Sequence, residues 1–290
     1  MNFIRFLVIS LFLGLAGWAL YLDFLYGETA WVGANSDLGK FFASTLITLG
    51  PELAGIVIGV VIIDYLNERR QDAQLLQQLI LQMGSSHNDV TDTAVRTLRS
   101  YGWLTDGSLK GAYLRGANLQ GTYLRGANLQ DAYLRGANLQ DADLWEAILK
   151  EADLGGANLQ ETDLRGANLQ DADLKVANLQ EADLREANLQ GADLWRANLQ
   201  GTDLGAANLQ EADLGVANLQ GANLWRANLQ RITNYTIEQL LQVKTLKRAI
   251  MLDGSKFEDW ILRIPEDEID PRAGAEIDRL MREFESEEEE

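Results

Sequence analysis

Apolar residues follow three rhythms along this chain. The first is continuous. Phe6 to Leu22 is a run of 17 residues without a charge, extended by Phe3 and Ile4, and Arg5 can reach back to a headgroup layer. Phe41 to Ile63 is a second run of 23 residues, interrupted at Gly50-Pro51-Glu52. A helix needs roughly 17–25 residues to cross the hydrocarbon of a bilayer, so the two runs predict an N-terminal two-helix transmembrane hairpin over 1–65. A cleaved signal peptide is the rival for the first run. Its apolar stretch would be about 7–15 residues with a small-residue cleavage site, whereas this run is longer and Trp18 to Tyr26 is bulky. Arg5, Arg69 and Arg70 flank the pair, and the positive-inside rule then places both termini in the cytoplasm. The expectation is a multi-pass cell-membrane protein that meets lipid through Phe3–Leu22 and Phe41–Ile63.

The second rhythm has a period of five. From Ala112 to Arg231 the chain reads as 24 blocks that never slip, with Leu at every third position from Leu114 to Leu229. The first position is Ala except at Thr122, Thr162 and Thr202, and the second is mostly Asn or Asp. Five matches neither a helix at 3.6 nor a strand at 2. It suits a coil with four flat sides, one block to a side, with Leu and Ala inward and the other positions outward. Twenty-four blocks make six coils, a stack roughly 29 Å tall at strand spacing. Each buried Leu contributes about 1.5–3 kcal/mol, so the Leu column is the main favourable contribution. The three threonines, 40 residues apart, line one side on alternate coils and need backbone partners for their hydroxyls.

The A-[DN]-L-x-x blocks closely resemble the pentapeptide repeat family over about 120 residues. The resemblance implies an all-β solenoid, a right-handed quadrilateral pentapeptide-repeat β-helix. Asn67-Glu68-Arg69-Arg70 after an apolar run is similar to a membrane module that precedes some bacterial members.

Such a stack has open ends and needs caps. In the juxtamembrane and N-terminal cap segment, 66–111, Asn88 to Trp103 reads as a helix capped by Asn88 or Asp89, with Val90, Ala94, Val95, Leu98 and Tyr101 as its apolar positions. In the C-terminal cap, 232–264, Thr236-Ile237-Glu238-Gln239 is a capping box opening a helix to about Ala249. An Asp253-Gly254 turn and an aromatic strand follow, with Phe257, Trp260 and Ile261. Helix, turn and strand resemble the lid often seen after pentapeptide domains. The third rhythm belongs to the acidic amphipathic tail, 265–290: Ile277, Leu280, Met281 and Phe284 make one helical stripe.

A ten-residue superperiod sits on the five. Even blocks read Ala-Asn-Leu-Gln, so Gln120, Gln140, Gln160, Gln180, Gln200 and Gln220 stack on one side, opposite Gln130, Lys150, Gln170, Gln190, Gln210 and Gln230. Stacked amides can hydrogen-bond up a column. One odd face stacks Arg125, Trp145, Arg165, Arg185, Gly205 and Trp225. Arg–Trp neighbours can form cation–π contacts, and exposed Trp and Arg are also what binding hot spots use. That column is the first candidate for a partner contact, against a self-stabilising surface. Trp195 and Arg196 on the opposite face come second. Asp131, Glu151, Asp171 and Glu211 share a column interrupted by Gly191, which reads as a solvated acidic face.

Composition narrows the function. The formal charge is -18, and nucleic-acid binding by counterion release needs cations. There is no cysteine, and the repeat holds no Ser, His or Cys for a nucleophile–base pair. His87 reads as a cap or surface group. No catalytic residue, cofactor, metal or small-molecule substrate is inferred. The reading is a membrane-anchored, non-enzymatic scaffold offering a cytoplasmic solenoid to an unidentified protein partner. The alternatives are a DNA-mimicking inhibitor of a topoisomerase or other DNA-binding protein, and a transport or sensing component built on the intramembrane carboxyl Glu52.

Overall fold

The computed structural model describes residues 62–264 and 274–285. The chain divides into two units, Met1–Gln71 and Asp72–Glu290. In the first, residues 62–71 are helical. Among the described residues no helix is long and apolar enough to cross a membrane. Helical residues 62–83 have the length, but Asp64, Glu68, Arg69, Arg70, Asp72 and five glutamines make them too polar for a bilayer core. This corrects the multi-pass cell-membrane localisation, the transmembrane hairpin and the lipid partner expected from the sequence. The run Phe3 to Leu22, and the second run with Glu52 up to residue 61, lie outside the described residues.

The second unit is the solenoid with its ends closed. Parallel bridges link second positions 20 residues apart, such as Tyr133 with Asp153, so four blocks complete one coil. Each bridge has two backbone bonds: Leu134 N–H donates to the Asp153 carbonyl at 2.7 Å, and Asp153 N–H donates to that of Ala132 at 3.0 Å. Corners are closed by bonds such as Ala117 N–H to Leu114 O at 3.1 Å, with Gly116 at φ 66° in the third place. That is a type II turn, which demands a positive φ at its third residue. All 24 blocks have this positive φ at the fifth position, although only nine carry glycine there.

Leu and Ala of the blocks are at most 5% exposed and form one continuous core. The buried threonines find backbone carbonyls as expected: Thr162 and Thr202 donate across to Leu139 and Leu179 of the preceding coil at 2.8 Å, and Thr122 to Leu119 at 2.7 Å. The preference for Asn or Asp at the second position has a local cause. Its side-chain oxygen accepts the backbone N–H two residues on, as Asp153 does from Gly155 at 3.1 Å.

At the N-terminal end, helix α1 (72–83) and helix α2 (Asn88–Ser100) lay Leu79, Met83, Ala94, Val95 and Leu98 on the same core. The first coil's exposed donors are met there, Asn118 N–H by Ser85 O at 2.9 Å and Asn128 N–H by Leu104 O at 2.7 Å. α2 is shorter than the sequence suggests. Its N-cap is His87, which makes no side-chain capping bond, and Val90 and Tyr101 face solvent.

Past Arg231 the coil continues through Thr233, and helix α3 (Ile237–Leu241) then replaces one face. The capping box of Thr236 and Gln239 is present. Gln239 also donates to Leu214 O at 3.2 Å and Ala217 O at 2.8 Å, which closes that face. The helix stops at Leu241 rather than Ala249 because the chain returns to the ladder: Gly221 N–H takes Gln242 O at 2.9 Å, and Thr245 and Ile250 bridge to Asn223 and Asn228. After a hairpin pairing Ile250 with Lys256, Phe257–Ile261 form helix α4, not a strand, and bury Phe257. Helix α5 (Gly274–Glu285) closes this end. Its Leu280 is fully buried, and Arg279 donates to the carbonyls of Leu241, Val243 and Lys244 at 3.2, 2.6 and 2.9 Å.

Candidate protein-interaction surface

The odd blocks form two opposite faces, named here by their first second-position residues, Tyr113 and Tyr123. On both, the fourth-position side chain leans over the next coil. The Trp195 ring covers Gly215, where an added Cβ would lie 2.6 Å from the indole. Arg135 and Arg185 likewise lie over Gly155 and Gly205. What a fourth-position side chain meets is therefore decided by its own block and the block 20 residues on.

On the Tyr123 face those meetings are satisfying ones. The Arg125 guanidinium stacks 3.3 Å above the Trp145 ring. Arg165 donates twice to Asp163 of its own block, at 2.8 and 2.5 Å, and lies 3.6 Å from Asp183. Arg185 repeats this with Asp183 and Asp203. The Arg165 bond holds the Asp163 carboxyl below its usual range against the opposing effect of burial, and it raises Arg165 in turn. Gly205 is bare, and Trp225 has Arg226 5.1 Å from its ring. The first candidate column is thus brought together, but largely with itself.

The Tyr113 face differs in its first coils. Tyr113 and Tyr133 stack with ring centroids 4.7 Å apart. They occupy the position where later blocks carry Asp, so Arg115 and Arg135 have no carboxylate of their own block. Neither arginine forms an ion pair among the described residues. Two coils further, Lys175 binds Asp193 at 2.6 Å, with Asp173 at 3.7 Å. The Asp193 bond raises its pKa. Arg115, Arg135, Gly155, Lys175 and Trp195 succeed one another along one column and line a groove of about 530 Å³. Asp173 and Val176 line it too, and at its middle Gly155 is buried beneath Arg135 while Gly156 is exposed.

Exposed apolar side chains gather on this same face: Tyr113 at 71%, Tyr133 at 46%, Val176 at 54%, Trp195 at 39% and Val216 at 71%. The Tyr123 face offers Tyr123 and Trp225. Of the residues singled out from the sequence, Trp195 and Arg196 lie on the richer face, with the Arg196 guanidinium 5.1 Å from the Trp195 ring. Sequence reasoning passed over Tyr113, Arg115, Tyr133 and Arg135. The signal was present: blocks 112–116 and 132–136 both read Ala-Tyr-Leu-Arg-Gly, with Tyr in place of the acid.

Charge is also uneven along the axis. From Ser108 to Gln130 there are three cations, Lys110, Arg115 and Arg125, and no carboxylate, whereas Asp141 to Arg231 carries 16 acidic against 7 basic residues. The two even faces are quieter. The amide ladder on them is built from Asn, not Gln. Asn158 donates to Asn138 at 3.0 Å and Asn178 to Asn158 at 3.1 Å, and no Gln-to-Gln bond joins the coils among the described residues. The shorter Asn side chain sits close enough to the backbone to reach one coil spacing without bending away. In the acidic column, Arg231 binds Glu211 at 2.8 Å and Lys150 lies 3.5 Å from Glu151. No group of acidic or histidine side chains among the described residues could hold a metal ion.

A family profile described as Pentapeptide repeats matches eight copies here, over residues 108–146, 137–175, 177–215 and 197–232. Among solved structures, the chain is 36% identical to HetL, a pentapeptide repeat protein involved in heterocyst differentiation regulation from the cyanobacterium Nostoc sp. strain PCC 7120. That match covers 51% of this chain and 86% of HetL, with a TM-score of 0.26. It is 33% identical to Rfr23 from the cyanobacterium Cyanothece 51142, over 41% of this chain and 63% of that one, with a TM-score of 0.26. Trypsin-treated QnrB1, a plasmid-mediated fluoroquinolone resistance protein, is 19% identical over 52% of this chain and 80% of its own, with a TM-score of 0.25. No curated protein matches the chain. On the repeat that fills residues 108–232, and on its likeness to HetL over most of that protein's length, the chain belongs to the pentapeptide repeat family.

Proposed function

We propose that this chain is a non-enzymatic interaction scaffold that receives a protein partner on its Tyr113 face. The observation behind this reading is the coincidence, on one face, of its exposed apolar side chains with two arginines that form no ion pair among the described residues. Aromatic residues and arginine dominate the energetics of protein interfaces. A rigid solenoid also presents them without an ordering cost, since each side chain stands on a corner fixed by two ladders.

A DNA-mimicking inhibitor is the competing reading. A duplex mimic calls for continuous carboxylate stripes, and here Asp163, Asp183 and Asp193 are each bonded to a cation of the same face. The stretch from Ser108 to Gln130, moreover, carries three cations and no carboxylate. Transport through Glu52 concerns a residue outside the described ones.

The test compares partner capture by the intact chain with two variants. Tyr133→Ala combined with Trp195→Ala should lose the captured protein, while Arg165→Gln on the opposite face should keep it. Direct binding of the purified pair then follows. Loss with Arg165→Gln alone would move the site to the Tyr123 face. Equal capture by all three proteins would remove both odd faces from consideration.

A further inference from the structure

We infer that the groove on the Tyr113 face takes a short acidic peptide segment of the partner, its carboxylates on Arg115 and Arg135 and an apolar side chain beside Val176 and Trp195. This rests on the Tyr113 face being the interaction surface and names the chemistry of what it receives.

The argument is charge complementarity within a bounded space. Where its own block carries Asp, an arginine at the fourth position is neutralised by it, as Arg165 and Arg185 are. Tyr113 and Tyr133 remove that acid, and neither Arg115 nor Arg135, on adjacent coils, forms an ion pair among the described residues, although Asp153 lies beside the Gly155 corner that Arg135 covers. Arg135 lies flat over Gly155, so its donors border the groove rather than projecting beyond it. A guanidinium offers five donors in a planar fork suited to carboxylates. Arg115 stands at one end of the groove and Trp195 at the other.

Length selects the ligand class. The groove runs from Arg115 to Trp195, four coil steps or roughly 19 Å, which an extended chain spans with about six residues. Alongside its half toward Trp195, the coils from Asp141 onward are strongly acidic. A long polyanion such as a nucleic acid, or an anionic membrane, would run past Arg115 and Arg135 along coils of net negative charge and meet like charge. A short acidic segment would not. Lys175 is already bonded to Asp193 and Asp173, so the free cations lie at one end only. That polarity orients the peptide, with its acids toward Arg115 and its apolar residue toward Trp195.

The experiment uses the full chain and a fluorescein-labelled peptide, Glu-Glu-Asp-Gly-Phe-Gly, with its Gln-Gln-Asn counterpart as the neutral control, read by fluorescence anisotropy at low salt. The expected result is saturable binding of the acidic peptide at least roughly tenfold tighter than the neutral one, weakening as salt rises. Arg115→Glu with Arg135→Glu should abolish it and favour a Lys-Lys-Lys-Gly-Phe-Gly peptide instead, while Arg165→Gln changes nothing. All three sites are solvent-facing, and an unchanged far-ultraviolet circular dichroism spectrum would show the coils intact. Equal binding of acidic and neutral peptides overturns the inference. So does binding unaffected by the double reversal, or tighter binding of a phosphatidylserine vesicle or an oligothymidine strand at the same arginines. If the peptide fails while Tyr133→Ala with Trp195→Ala still loses the partner, the acidic chemistry falls and the interaction face stands.

Discussion

The side-chain amide of Asn198 donates to Oδ1 of Asn178 at 3.0 Å, one coil below, and Asn178 passes the bond on to Asn158 at 3.1 Å. The same Asn178 oxygen also accepts the backbone N–H of Gln180 at 3.3 Å. One residue therefore serves two neighbouring coils and its own corner. These amides are half-buried, so water replaces a lost partner only in part.

Three substitutions in adjacent blocks separate what holds the coil together. Leu174→Ala should cost about 2–5 kcal/mol as a large-to-small core change. Asn178→Ala should cost about 1–3 kcal/mol through the partners it strands. Gln180→Ala, outside the ladder, should change stability by less than about 0.5 kcal/mol. Chemical denaturation orders them. A Gln180 cost equal to that of Asn178 would return the ladder to the glutamines.

Val216 stands at a corner with φ 55°, and it is 71% exposed. A β-branched side chain in the left-handed region crowds its own carbonyl, by roughly 1–2 kcal/mol, and here gains no burial in return. Val216→Gly should therefore stabilise the solenoid by about 0.5–1 kcal/mol once glycine's greater freedom in the unfolded chain is counted. A lower denaturation midpoint for the glycine variant would contradict the turn assignment at this corner.

The Arg165 bond depresses the Asp163 pKa, which fixes the sign of its pH dependence. Its contribution to stability is complete above the ordinary aspartate value of about 3.9 and is lost as pH falls through the lower folded value. Asp163→Asn should thus be less stable than the native chain near neutral pH, and the difference should shrink below about pH 4. Urea midpoints across that range read it directly. A gap that widens in acid would reverse the assignment.

The solenoid was legible in the sequence because every block obeys one rule and the period of five excludes helix and strand. The proposed interaction face was legible only in part. Counting Arg and Trp down a column led to Arg125, Trp145, Arg165 and Arg185, yet a column does not say whether its members satisfy one another. Arg165 finds Asp163 and Arg125 finds Trp145 only once the lean of each side chain over the next coil is known. The helix predicted to run to Ala249 failed for a related reason. Local propensity continues past Leu241, but Thr245 and Ile250 are claimed by the ladder of the last coil. Apolar length alone predicted membrane spans, and no helix among the described residues meets that requirement.

Residues 274–285 of the acidic tail pack on the chain's own solenoid. The stripe read from the sequence is borne by α5, where Leu280 is fully buried and Ile277 and Met281 pack partly against the same core. The decisive contact is polar. The carbonyls of Leu241, Val243 and Lys244 lie where the chain leaves α3, and the Arg279 guanidinium takes all three. Removing residues 271–290 would bare those carbonyls and the apolar surface under Leu280, whose burial alone contributes about 1.5–3 kcal/mol. The melting temperature should then fall by roughly 4–10 °C for a domain of this size. Arg279→Met, which keeps the apolar stem and removes the donors, should give a smaller fall of the same sign. An unchanged melting temperature on deletion would mean that the last coil is closed without α5, and the tail would have to be explained by a partner instead.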